Sequence, residues 1–247
     1  MTKRVLILGG GSAIALAYAR RRAAEGCVIV LAGRRLDVLQ ANAADLTARG
    51  AAEAAAIQAD LGDAQAIGQI ALGLLSPYPD EVLIAYGSLP DQAAAQVDLT
   101  QASQAFAVNF ESPALWLLAL LKARPAGHAL AVGVIGSVAG DRGRGSNFVY
   151  GAAKGGLARF VEGLQHAYTD VPEVSLTLIK PGFVLTPMTA DIPNRGGPLW
   201  AEPAKVGDAI AAALDAKKPL VYVPAFWGLI MLLIRHLPRA VFNKMKI

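Results

Sequence analysis

Arg4-Val5-Leu6-Ile7-Leu8-Gly9-Gly10-Gly11-Ser12-Ala13-Ile14-Ala15 runs from an apolar, partly β-branched stretch through three glycines into a segment of helical period. A strand that turns on glycines into a helix offers backbone N–H groups and the positive end of the helix dipole to a ligand. Phosphate suits that environment, and a Cβ in the wrong place would hold it away. Gly9, Gly11, Ser12 and Ile14 are therefore candidate cofactor-binding residues. Three glycines alone describe a tight turn equally well. The rest of the chain decides between the two.

The strand-then-helix pattern repeats along the 247 residues. Apolar runs at Cys27–Ala32, Ala54–Ala59, Glu81–Tyr86, His128–Ile135, Val174–Ile179 and Leu220–Val223 predict six further strands. Helical periodicity over Ser12–Glu25, Leu36–Arg49, Asp63–Leu75, Thr100–Ala123, Phe148–Tyr168 and Pro203–Leu214 lies between them. Such alternation builds βαβ units, and hence an α/β fold with a doubly wound, seven-stranded parallel sheet of Rossmann type. No linker, repeat or low-complexity tract divides it. One domain is expected over residues 1–223, with an apolar, basic C-terminal tail over 224–247.

With 54% hydrophobic and 17% charged residues, the composition excludes a disordered chain or a coiled coil. The mean hydropathy of +0.42 raises the question of a membrane span. No uninterrupted apolar run reaches the roughly 18 residues that a span needs, and Leu220–Ile234 is shorter and interrupted by Pro224. The N-terminus enters a strand without the apolar core of a secretory signal, so a cytoplasmic protein is expected. Cys27, the one cysteine, reads as a buried strand residue. The net charge of +4 is scattered and comes without zinc spacing or an RNA-binding strand. Neither a nucleic-acid partner nor a metal is expected.

The second strand ends at Ala32-Gly33-Arg34-Arg35, where a dinucleotide site meets the adenosine ribose. A carboxylate there would accept from a free 2′-hydroxyl, whereas a guanidinium pairs with a 2′-phosphate. Arg34 thus favours NADP(H), with NAD(H) left open and a merely solvated helix start as the alternative. Asp60-Leu61, past the third strand, is placed for the adenine edge, although Asp60 would also serve as a helix cap.

Tyr150 and Lys154 stand four residues apart on one predicted helix, close enough to interact. A neighbouring ammonium lowers a phenol pKa and brings the tyrosine towards acid/base use. Ser137 follows the fifth strand, at the sheet edge where open parallel sheets bind ligands. Its hydroxyl can hydrogen-bond a substrate carbonyl there, or simply cap a turn.

Together these residues resemble the short-chain dehydrogenases/reductases over the chain to about Val223. The likeness rests on the glycine turn, Asp60, a helical Asn109, Ser137, Tyr150 with Lys154, and Pro181-Gly182 followed by Thr186. It implies a nicotinamide-dependent oxidoreductase. Ser137 would orient the carbonyl and Tyr150 would be the acid/base. Lys154 would lower its pKa and bind the nicotinamide ribose, and Asn109 would hold a water of the proton relay. Pro181, Val184 and Thr186 would lie along the nicotinamide, and Gly87 would close the fourth-strand turn. Two departures bear on cofactor geometry: Ala13 and Ala15 replace glycines of the family turn, and Ile84-Ala85-Tyr86-Gly87 keeps only the last residue of Asn-Asn-Ala-Gly. A homodimer or homotetramer is also the family expectation.

Pro181–Trp200 carries four prolines and three glycines, and by resemblance it is the substrate-covering loop. Its Phe183, Met188, Ile192, Leu199 and Trp200 could line a pocket or simply anchor the loop. The tail joins an apolar segment, Phe226–Ile234, to Arg235, Arg239, Lys244 and Lys246 without an acid. Such a segment suits a helix at an anionic membrane surface, or one that packs on a partner subunit or over the cleft. The tail and Asp141-Arg142-Gly143-Arg144 resemble the branch that includes the reductase of decaprenylphosphoryl keto-pentose. That likeness implies a lipid-linked ketone, with Arg142 or Arg144 as phosphate partner, and a location at the inner face of the membrane. The alternatives are a reductase of a small soluble ketone and a catalytically silent NAD(P)-binding sensor.

Overall fold

The structure, a computed structural model, describes residues 2–192 and 195–245; Lys246 and residues 193–194 of the loop lie outside them. In chain order the larger elements are β1 (Arg4–Leu8), α1 (Ala13–Ala24), β2 (Val28–Gly33), α2 (Leu36–Ala48), β3 (Glu53–Gln58), α3 (Ile67–Leu74) and β4 (Glu81–Ile84). Two short helices follow, α4 (Gln92–Val97) and α5 (Leu99–Phe106), then α6 (Ser112–Ala123), β5 (Leu130–Ile135), α7 (Phe148–Ala167) and β6 (Val174–Pro181). The chain continues through β7 (Phe183–Val184), β8 (Trp200–Ala201), α8 (Pro203–Asp215), β9 (Leu220–Val223), α9 (Phe226–His236) and α10 (Arg239–Phe242).

Seven strands form one parallel sheet in the order β3-β2-β1-β4-β5-β6-β9, and β7 pairs with β8 apart from it. The doubly wound fold expected from the sequence is present. Its cause is legible in β1, where successive side chains enter opposite layers. Leu6 and Leu8 join the layer of α3, α6 and α7, around Trp116, Leu120, Leu157 and Val161. Val5 and Ile7 join the layer of α1, α2 and α8, around Tyr18, Leu39, Val206 and Ile210. A strand buried on both faces must be apolar along its buried run, as β1 is from Val5 to Leu8.

β1 pairs with β2 on one side and with β4 on the other, so the chain reverses direction across the sheet between β1 and β4. The crevice at that reversal, at the carboxyl ends of the strands, is where such sheets bind ligands. The opposite end is locked by charge. Arg22, 1% exposed, holds Glu81 through Nε at 2.6 Å and Nη2 at 2.9 Å, and also bonds Asp215 at 2.8 Å.

Several boundaries shift. Cys27 is buried but precedes β2, which starts at Val28. The helix expected from Asp63 starts at Ile67, because the carboxylate of Asp63 folds back onto the N–H groups of Gln65 and Ala66. The continuous helix Leu99–Ala123 is long and apolar enough by composition to cross a membrane, although Gln101, Gln104, Asn109 and Glu111 interrupt its apolar run. It carries Trp116, Leu117 and Leu120 into the core. The tail is helical and docked: Trp227 and Met231, one turn apart, pack with Val138 against the body.

Candidate active site

Backbone geometry makes the first glycine of the turn obligatory. Gly9 has φ +97°, and a Cβ there would lie 2.7 Å from the Tyr86 nitrogen. A Cβ at Gly11 would meet nothing closer than 3.8 Å, so this residue faces open space. Ser12 caps α1 by accepting from the Ala15 N–H, and the first amides of α1 have no intrahelical partner. Ile14, half-buried, leans on the α1 layer. This turn fits a dinucleotide pyrophosphate: an open approach at Gly11 leads to the positive end of α1. Ala15 does not fill it, since its side chain points into the core.

The two arginines after β2 are placed differently. Arg34 is exposed at the end of β2, and its carbonyl accepts from Gln58. Arg35 instead sends its Nη2 to within 4.0 Å of the position a Gly11 Cβ would occupy. An adjacent pair of arginines does not reveal which one leans over the turn. The direction in which the chain leaves the strand decides it. Asp60 is exposed and accepts from the Gly62 N–H at 3.0 Å, and buried Leu61 offers its carbonyl to the Trp116 indole at 3.1 Å.

The helix through Asn109 widens to a π-turn at Ala107–Glu111. In an α-helix the Asn109 N–H would take the Ala105 carbonyl; here the side-chain Nδ2 donates to it at 2.9 Å. Nδ2 also donates to the Ser88 carbonyl at 2.9 Å, and Oδ1 accepts from the Ser88 N–H at 3.1 Å. Asn109 is fully buried and ties the turn after β4 to the helix. Gly87 lies directly above it: a Cβ there would be 2.8 Å from Asn109 Oδ1 and 3.6 Å from Lys154 Nζ. Asn109, Gly87 and Lys154 thus converge from three elements, and π-turns are often found at functional sites.

Ser137 leaves β5 in an extended conformation and starts a short 3-10 turn, Val138–Gly140, its hydroxyl accepting from the Ala139 N–H at 3.1 Å. That turn lies against α7 because Gly140 has no side chain. A Cβ there would meet the Gly155 nitrogen and the Lys154 carbonyl carbon at 2.7 Å. The close approach sets Ser137 beside Tyr150. Burial pushes the Tyr150 phenol up, and the nearby Ser137 hydroxyl pulls it part of the way back.

Lys154, 3% exposed, donates to the Ile135 carbonyl at 2.9 Å, and burial lowers it from 10.5 to about 8. The expected lowering of the phenol by a neighbouring ammonium is therefore not what this structure contains. The ammonium is spent on the end of β5, and desolvation dominates at Tyr150.

Downstream, Pro181 ends β6 in register with Val223. The Val184 carbonyl accepts from the Thr189 hydroxyl at 2.6 Å and from the Thr186 N–H at 2.8 Å, so this corner is folded on itself. Thr186 Oγ1 lies 3.4 Å from Thr189 Oγ1. Of the loop's apolar residues, Phe183 stacks on Trp200 and meets Trp227 edge-on, while Met188 and Leu199 are exposed. Arg142 binds the carbonyls that end α9, which removes it from the expected role of phosphate partner. Arg144 is partly buried, with its Nε unpaired.

Comparison with known proteins agrees with this geometry. Residues 3–196 match the family model described as short chain dehydrogenase. An uncharacterized oxidoreductase of Mycobacterium tuberculosis is 37% identical over 98% of this chain and 96% of its own length. Another, from Streptomyces coelicolor, is 34% identical over the same shares. Among solved structures, a short chain dehydrogenase/reductase family protein is 26% identical with a TM-score of 0.77, covering 89% of this chain and 94% of that one. Actinorhodin polyketide ketoreductase with NADPH superposes with a TM-score of 0.79 at 20% identity, covering 92% and 97%. The chain belongs to the short chain dehydrogenase family of NAD(P)(H)-dependent oxidoreductases.

Proposed function

We propose that the protein is an NADPH-dependent carbonyl reductase, or alcohol dehydrogenase in reverse, acting on a hydrophobic or lipid-linked ketone. The observation that carries this reading is the convergence of Ser137, Tyr150 and Lys154 at the ends of β5 and α7, facing Gly87 and Asn109. Bound NADPH would supply the hydride. Ser137 holds the carbonyl oxygen, and Tyr150 gives it the phenolic proton. A phenol raised by burial stays protonated at neutral pH, which is the form a general acid needs. Lys154 places a cation at the ribose side of the tyrosine, and Asn109 fixes the floor beneath it. Gly9, Gly11, Ser12, Ile14, Gly87, Asp60 and Leu61 form the nucleotide channel, with Pro181, Val184 and Thr186 at its nicotinamide end. Arg35, with Arg34 beside it, supports NADP(H) over NAD(H).

The apolar character of the substrate rests on the aromatic wall of Phe183, Trp200 and Trp227. Residues 1–223 would carry the chemistry, and 224–247 would meet the inner face of the membrane. A homodimer or homotetramer completes the reading. A small soluble ketone is the second reading, favoured by the burial of Trp227 and Met231 within the chain itself.

The test is turnover of a ketone panel with NADPH, comparing the parent with Tyr150→Phe. Loss of turnover with NADPH binding retained is the expected result. Binding without turnover of any ketone by the parent would replace the enzyme with a nucleotide sensor.

A further inference from the structure

The segment leaving Ser137 is held from outside at three successive points. Val138 is buried with Trp227 and Met231 of α9. The carboxylate of Asp141, 1% exposed, accepts from Lys180 Nζ at 2.6 Å and from the Tyr222 hydroxyl at 2.7 Å. Arg142 Nη1 donates to the Ile234 carbonyl and, at 2.8 Å, to the Leu237 carbonyl, and its guanidinium sits 3.8 Å from the centre of the Phe242 ring in α10. The last carbonyls of a helix lack the partners of a continuing helix; the Ile234 carbonyl accepts from the Leu237 N–H at 3.3 Å and keeps a lone pair for Arg142. A planar guanidinium can satisfy two of them while stacking on an aromatic ring, which an ammonium cannot do as well.

These ties are not needed to close the sheet, since β6 and β9 pair along their own backbones. They are also costly in kind, because a buried ion pair stabilises a fold less well than apolar packing would. What they do is remove slack. Only the three-residue turn Val138–Gly140 separates Ser137 from Asp141, and the Ser137 hydroxyl is itself bonded inside that turn.

We infer that the C-terminal tail positions Ser137: Val138 and Arg142 couple the seating of α9 and α10 to the placement of the serine hydroxyl, while Asp141 fixes the same segment to β6 and β9. Arg142 is a positioning residue, and the tail is part of the active-site geometry as well as its cover. This inference rests on the reading of Ser137 as the group that receives the carbonyl. A displacement of about 1 Å in such a group can cost on the order of a hundredfold in rate.

The test uses the full chain with Arg142→Met and Arg142→Lys. Hydrogen exchange is followed at Ala139 and Gly140, whose N–H groups bond Ser137, and at the Gly9–Ala15 turn as control. Arg142→Met is expected to speed exchange at 139–140 at least tenfold and leave the control unchanged. Arg142→Lys, which keeps a donor for the carbonyls but loses the fork and the stacking on Phe242, should fall between Arg142→Met and the parent. With phenanthrenequinone and NADPH, Arg142→Met should lose at least tenfold in kcat at unchanged NADPH affinity, and Arg142→Lys should recover part of it. Parental exchange at 139–140 in Arg142→Met, or a lower melting temperature with kcat unchanged, overturns the inference. If the parent does not reduce the quinone, the reductase reading fails, while the exchange measurement still decides whether the tail positions Ser137.

Discussion

Lys154 Nζ donates to the Ile135 carbonyl at 2.9 Å, so the charge on α7 is anchored to the strand that delivers Ser137. The ammonium is buried with this one protein acceptor among the described residues, and burial lowers it from 10.5 to about 8. That shift corresponds to about 3 kcal/mol. Between pH 8 and 10.5 the unfolded chain holds the proton and the folded chain does not, so stability rises with pH across this window. Below 8 the full cost of burying the charge is present.

Lys154→Met should therefore melt at a higher temperature than the parent at pH 7, by a margin that shrinks as pH rises past 8. Its carbonyl reduction should be lost. In the parent, reduction should decline above about pH 8 as the ammonium discharges. Thermal melts and rate profiles from pH 6 to 10 read both.

Gly9 and Gly11 should separate folding from cofactor binding. Gly9→Ala forces a Cβ to within 2.7 Å of the Tyr86 nitrogen at a positive φ, and should destabilise by about 2 kcal/mol or more. Gly11→Ala has room and should melt like the parent, yet bind NADPH at least tenfold more weakly. Calorimetry and NADPH fluorescence titration check the pair.

Arg35→Ala should narrow the preference for NADPH over NADH by at least tenfold, and Arg34→Ala should do so by less than threefold. Competition between the two cofactors in the titration decides it. Equal effects would place the 2′-phosphate over both arginines.

Much of this was readable in the sequence, and the failures share a cause. Strand and helix order followed from periodicity, because burial on one or two faces writes a repeat into the chain. Ser137, Tyr150 and Lys154 stand out in the sequence because residue type and order at a sheet edge carry chemistry, and the structure brings the three together. The π-turn at Asn109 was invisible, since it changes the winding of a helix without changing its composition. The bond from Arg142 to Leu237 was invisible too, because no local pattern relates residues 95 positions apart. The sequence shows that Lys154 is near Tyr150 but not which carbonyl it chooses.

The outer face of α9 leaves Leu229 and Leu233 each 64% exposed, one turn apart and close to Arg235 and Arg239. If this face meets an anionic bilayer, the parent should float with vesicles rich in phosphatidylglycerol and release in high salt. Leu229→Glu with Leu233→Glu should stay behind while keeping NADPH affinity. Equal partitioning of parent and double variant would remove the membrane from the account.

Glu81→Gln should cost about 3 to 5 kcal/mol, because it strips the charge from a carboxylate that Arg22 grips through two nitrogens and that also accepts from Tyr18. At a temperature where the variant remains folded, its kcat should match the parent's. Chemical denaturation together with the standard assay reads both quantities.

That lock lies at the end of the sheet remote from Ser137, and its remoteness bears on how such a chain can change over time. The bonds of Arg22 and Glu81 involve neither Ser137, Tyr150 nor Lys154. The turn after Ser137, the loop to Trp200 and the tail can be rewritten while Arg22 and Glu81 stay fixed. A lineage built this way can remodel one end of the sheet without passing through a form that fails to fold.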